Sequence, residues 1–258
     1  MVVRTALIVA QCALAACTAA QPAPAGQGRV TALGDVTVID GTGAAPRLHL
    51  TVLIDGGRIM AVFPAGTRPL PKGARVLDVA GAHVMPGLID AHVHLATFER
   101  PSGIPRALLR NALLGGVTTV RDMGGNAGLV AALAAAARPD SVPMPCIYFS
   151  AVVSGPAWFA TYDAERVRFW SDGRAPGTAP GVRVVTDTTD LAALVHEAVT
   201  LGATGIKVYA DVSPDRLAAL AAEAHGRGCA YGATPSSRRP GPRRWSPRGP
   251  TSSATPAS

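Results

Sequence analysis

The sequence predicts an α/β protein in which a small β domain precedes a run of alternating strands and helices. Three observations carry this. Residues 30 to 85 contain short apolar or alternating runs, "DVTVID", "HLTVLIDGGRIMAVF" and "ARVLDVAGAHVM", punctuated by Gly and Asp as strands of small antiparallel sheets are. After Pro86, strand-like runs alternate with Ala- and Leu-rich stretches of helical period. And 48% of the 258 residues are apolar, which is enough to bury a substantial core.

The first 17 residues read as an export signal. Arg4 supplies a positive start, and "ALIVAQCALAA" is an apolar stretch too short to be a good membrane span. "LAAC", ending at Cys17, resembles a bacterial lipoprotein box, which makes Cys17 the lipidated first residue of a mature chain. Cleavage after Ala13-Leu14-Ala15 is the alternative. Either route leads out of the cytoplasm, to the periplasm or, with Thr18 after the cysteine, to an outer-membrane anchor, so that the only membrane contact is the lipid. Residues 18–29, rich in Pro, Ala and Gly, suit a tether. Cys146 and Cys229 do not form a closely spaced framework, so disulfides are not expected to hold the fold.

Residues 30–85 form the small β domain, with "GG" at 56–57 as its hairpin turn. From 86 to 231 the strand-like runs "LIDAHVHL", "GVTTVRDM", "PCIYFSAVV" and "GIKVYADV" alternate with "PRALLRNALLG", "AGLVAALAAAA", "DLAALVHEAVTLG" and "PDRLAALAAEAHGRG". That order implies parallel pairing through right-handed crossovers. Four units are visible and a fifth strand is due near residue 229, whereas a closed barrel of this type needs eight. Between the third and fourth units, "SGPAWFATYDAERVRFWSDGRAPGTAPGVR" reads as a long loop. Its Trp158, Phe159, Tyr162 and Trp170 hint at an apolar or aromatic substrate group.

Charge argues against nucleic-acid binding. The formal +7 falls to +2 without the last 21 residues, which hold five arginines and no acid. These arginines alternate with Pro and Ser and lack the interleaved aromatics of a nucleic-acid groove.

The chemistry begins at "GLIDAHVHL". His92 and His94 stand one residue apart on a strand-like run, so both imidazoles leave the backbone in one direction. Neutral imidazoles are good ligands for zinc-like cations. Together with "GVTTVRDMGG" and "GATGIKVYAD", this stretch resembles the metal-dependent amidohydrolase superfamily, in its imidazolonepropionase-like and prolidase-like branch. The resemblance covers about residues 33 to 232. It implies an incomplete (β/α)8 TIM barrel, its first four to five units, preceded by a β-sandwich portion. It also implies that His92, His94 and Lys207 ligate a divalent metal, zinc by preference, with Lys207 carboxylated into a bridging anion. The other histidines, His49, His83, His196 and His225, match no motif, and Asp90 and Asp122 read as braces of the rim.

The family takes further ligands from a histidine on strand five, a histidine on strand six and an aspartate on strand eight that handles the proton of the attacking water. None stands at a matching place in residues 232–258, a Pro-, Ser- and Arg-rich tail read as disordered. One base earlier, the letters from Arg244 can spell "VVAAGADVVGHA", and the Ala233/Thr234 and Ala254/Thr255 junctions give histidine codons 21 apart. A frameshift near residue 231 is therefore expected, and with it a chain of little activity.

The function implied is hydrolysis of C–N bonds (amide, cyclic amide or dipeptide-like) in a small-molecule substrate, with no catalytic base of its own in this chain. The alternative is a non-catalytic exported lipoprotein serving as a binding or scaffold module. Substrate, metal identity and oligomeric state are left open.

Overall fold

The computed structural model describes residues 30–99, 104–138 and 142–233, which divide into two compact units meeting in sequence at Pro86 and Gly87. The expectations for residues 1–17, including Cys17, for 18–29 and for nearly all of 232–258 lie outside the described residues.

The first unit is a five-stranded sheet of β1 (Thr31–Val38), β2 (Arg47–Asp55), β3 (Arg58–Pro64), β4 (Arg75–Asp78) and β5 (His83–Val84). β2 and β3 form the expected hairpin; Gly56 and Gly57 have φ of 53° and 74°, the left-handed pair that a type I′ turn needs. The sheet is mixed, however, and not antiparallel throughout. In the order β3-β2-β1-β4, β4 lies on the edge of β1 away from β2 and runs parallel to β1, as β5 also does. The segment 65–74 carries the chain across the sheet, so β4 arrives in β1's direction, a relation that strand periodicity does not encode. In β1 the register slips between Leu33 and Val36, where Asp35 takes φ 51° and its Oδ1 lies 2.8 Å from His49 Nδ1.

The second unit holds β6 (Leu88–Val93), α1 (Ile104–Leu114), β7 (Val117–Asp122), α2 (Ala127–Ala136), β8 (Cys146–Ser154), α3 (Pro156–Thr161), α4 (Ala164–Trp170), β9 (Thr178–Ala179), β10 (Val182–Val184), α5 (Leu191–Leu201), β11 (Gly205–Val208), α6 (Pro214–Gly226) and β12 (Ala230–Ala233). β6, β7, β8, β11 and β12 pair in that order and all in parallel. β12 is the strand due near residue 229, and it continues past the boundary placed at 231.

Helix ends follow local chemistry. Asp190 caps α5 by accepting from Ala193 N, and Gly202 ends it at φ 95°. Ser213 caps α6, with Pro214 in the first turn. The core lies between helices and sheet: Phe149, Ala151 and Val153 of β8 and Ile206 and Val208 of β11 pack with Val130, Val195 and Leu220. By alternation, Tyr148, Ser150 and Val152 of β8 and Gly205 and Lys207 of β11 turn to the opposite, inner face.

The segment between the third and fourth units is not an open loop. It folds as α3, α4 and the β9–β10 hairpin, because Pro156 starts α3, Asp163 accepts from Glu165 N and Arg166 N to cap α4, and the aromatics pack together. Trp158 stacks between Tyr162 and Tyr209 at centroid distances of 4.4 and 4.7 Å. Trp170 Nε1 donates to Thr97 O, and Asn126 Nδ2 donates to Phe169 O and Asp172 Oδ1, so this insertion is tied to the segments following β6 and β7.

Candidate metal centre

His92 is the penultimate residue of β6 and His94 stands just past the strand's end, after a register irregularity between Asp90 and Val93. Their rings stand 5.2 Å apart, centroid to centroid, at 65°. His94 Nδ1 lies 2.8 Å from Gly124 O. A carbonyl oxygen only accepts, so Nδ1 carries the proton and the lone pair of the neutral ring sits on Nε2. Gly124 reaches this position at φ 139°, a conformation that favours glycine.

Lys207 lies on β11 with 5% of its surface exposed. Burial first, and then the nearby Arg121, hold its amine below the ordinary lysine value. His92 is lowered by burial and next by Lys207, so it is the neutral imidazole that a cation needs. The same influence shows that the histidines and Lys207, 115 positions apart in sequence from His92, are neighbours in space.

Asp122 is 1% exposed and accepts from Leu95 N and Gly124 N. Burial raises its carboxyl above the usual carboxylate range despite those two bonds. It thereby fixes the backbone on both sides of His94's position. Asp90 accepts from His92 N at 3.2 Å. His49 sits with Asp35 in the first unit, and His196 Nδ1 lies 3.5 Å from Arg227 Nη1.

The donor set suits part of a metal site. Two imidazoles stand near a buried lysine that carboxylation would turn into an oxygen donor. Among the described residues no three His, Cys, Asp or Glu side chains group closely enough to hold a cation by themselves. A cavity of about 640 Å³, lined by Phe98, Glu99, Arg166 and Asp172 among others, lies beside the 156–173 insertion, and its lining does not include His92, His94 or Lys207. Residues that sequence reasoning passed over are Arg121, Gly124, Asn126, Gly205 and Tyr209. The quoted motifs contain four of them, but motif matching assigns no role to a residue that serves by position.

The chain matches no protein-family profile. Over 68 residues it is 43% identical to adenine deaminase 2 of Bradyrhizobium sp. (strain ORS 278), covering 26% of this chain and 11% of that protein. Over 87 residues it is 34% identical to the D-hydantoinase of Streptomyces coelicolor, 31% of this chain and 18% of that one. Among solved structures it superposes on a prolidase complexed with N-methylphosphonate-L-proline, with a TM-score of 0.61 and 26% identity, over 79% of this chain and 55% of that one. The chain thus spans a small part of the curated relatives it matches and about half the length of the prolidase. In its strand order and in these likenesses the chain is similar to enzymes of the amidohydrolase superfamily.

Proposed function

We propose that this protein is a metal-dependent hydrolase of C–N bonds in small molecules, of the amide, cyclic-amide or dipeptide type. The observation that carries the reading is the pair of imidazoles 5.2 Å apart, one oriented by Gly124 O, beside the buried Lys207. The relatives named as adenine deaminase, D-hydantoinase and prolidase support the bond class. In this reading His92, His94 and a carboxylated Lys207 hold a divalent cation, zinc by preference. Such a cation supplies Lewis acidity, polarising a carbonyl and acidifying water. His94 is oriented by Gly124 O, Asp122 locks the adjoining backbone, and the aromatic insertion shields one side of the rim from water. The first unit is the N-terminal share of a β-sandwich, and the protein is exported and anchored through lipidated Cys17.

The test is metal analysis and turnover on a panel of N-acyl amino acids, hydantoins and dipeptides, for the wild type and His92→Ala. Stoichiometric zinc and hydrolysis, both lost in His92→Ala, support the reading; a wild type that binds no cation overturns it. The frame reading of residues 232–258 is tested by resequencing codons 228 to 235. Palmitate incorporation that persists in Cys17→Ser overturns the lipidation.

A second reading, a non-catalytic binding or scaffold module, draws on the lack of a complete His, Cys, Asp or Glu cluster among the described residues. Cation binding with no turnover on any substrate, with the original reading frame upheld by resequencing, favours it.

A further inference from the structure

We propose that Arg121 is a positioning residue whose guanidinium, seated in the space that Gly205 leaves beneath Lys207, provides the counter-charge for a carbamate on the Lys207 amine. This rests on the reading of Lys207 as a carboxylated ligand.

The placement follows from strand alternation. In β7, Val120 and Asp122 are buried on the helix side, so Arg121 between them turns to the inner face. In β11, Ile206 and Val208 pack into the helix-side core, so Gly205 and Lys207 share that same inner face. The two faces meet at Gly205: a Cβ there would stand 2.8 Å from Arg121 Nη2 and 2.9 Å from Ser150 Oγ. Any side chain at 205 would occupy the guanidinium's place. Gly205 lies two residues before Lys207, so Arg121 forms the floor beneath the lysine.

The charges do not balance as they stand. Arg121 acts electrostatically on both Lys207 and His92. Neither Arg121 nor Lys207 has a hydrogen bond or ion pair to a carboxylate among the described residues. The nearby acids are engaged elsewhere: Asp90 with His92 N, and Asp122, on the helix side, with Leu95 N and Gly124 N. On its other flank Lys207 Nζ faces the Tyr209 ring, 5.6 Å from its centroid. Two cations thus share the inner face without an ion-paired carboxylate, an arrangement that an added negative charge relieves.

Carboxylation supplies that charge. The Lys207 ammonium first gives one proton to solvent; the lone pair of the neutral Nζ then attacks the carbon of CO₂ and forms a C–N bond, one C–O π pair moves onto oxygen, and a second N–H proton leaves to solvent. The side chain changes from a cation to an anion, and its repulsion from Arg121 becomes attraction. Arg121 touches neither substrate nor cation in this scheme; it acts through Lys207.

The experiment is ¹³C NMR of the purified chain equilibrated with ¹³C-bicarbonate and zinc, titrated to find the CO₂ concentration that half-fills the carbamate. The chains compared are wild type, Lys207→Ala, Arg121→Met, Arg121→Lys and Gly205→Ala, with circular dichroism reporting folding. A carbamate resonance is expected in wild type and absent in Lys207→Ala. Arg121→Met is expected to raise the half-filling concentration about ten- to a thousandfold, the effect of losing one close opposite charge. Arg121→Lys recovers most of it, and Gly205→Ala, which keeps the charge but displaces it, falls between. No resonance in wild type overturns the carboxylated-lysine reading and this inference with it. A wild-type resonance filled equally well in folded Arg121→Met overturns the inference alone.

Discussion

Single residues in this protein matter most where the backbone of one strand end meets that of another. Gly155 links β8 to α3 and donates its N–H to Ala210 O at 2.8 Å, while Ser154 Oγ donates to the same carbonyl. A Cβ on Gly155 would stand 1.9 Å from Asp211 O, which is backbone and cannot swing aside, and Asp211 itself already holds φ 57°. Gly155→Ala therefore forces the β8 and β11 ends apart. We expect a loss of about 1–3 kcal/mol in urea unfolding, the usual range for overpacking; an unchanged midpoint would show that the segment after β11 yields freely.

At the scale of elements, the insertion after β8 depends on Asn126. This 1% exposed side chain caps α2 by accepting from Leu129 N and donates to both Phe169 O and Asp172 Oδ1. Asn126→Ala removes a cap and leaves buried groups without partners, so we expect a cost of about 2–3 kcal/mol. Amide exchange should rise together in α2 and α4; a rise in α2 alone would mean that the bonds to the insertion contribute nothing.

The hairpin after the insertion is tied to α5 by Arg183 and Glu197. Burial raises the Glu197 carboxyl, but the hydrogen bonds from Arg183 and Gly181 N and the charges of Arg183 and Arg174 together outweigh it and hold the carboxyl below its ordinary value. A depressed carboxylate contributes stability that is present above its unfolded value, near 4.5, and is lost as pH falls through the lower folded value. The pair is partly exposed, so Arg183→Met should cost about 0.2–1 kcal/mol at pH 7. The difference from wild type should shrink in acid unfolding as pH falls below 4.5 and vanish once the folded carboxyl is protonated; a difference that persists to the acid limit would assign the effect to packing of the arginine stem.

For the whole molecule, charge is unevenly distributed. Deleting residues 238–258 lowers the formal charge from +7 to +2. The shortened chain should elute earlier from a cation exchanger and lose any retention on heparin. Retention that survives the deletion would return polyanion binding to consideration and locate it on the described units.

Much of this protein was decided by the sequence on its own. The order of strands and helices, the Gly56-Gly57 turn and the His92/His94 spacing are all legible in it, and the Asp190 and Ser213 caps that the structure shows are as local in origin. Each depends on relations within a few residues: a period of 2 or 3.6, a side chain bonding a backbone within one turn, a φ that glycine adopts at low cost. Only the tertiary structure decided the parallel pairing of β4 and β5 with β1 and the folding of the aromatic segment into helices. It also decided the tautomer that Gly124 imposes on His94 from 30 residues away, the tie of Asn126 to Asp172 across 46, and the placing of Arg121 beneath Lys207. These are distances between residues remote in the chain, and they exist only once strand order has set which side chains share a face, because local periodicity says that a side chain turns inward but not what it meets there.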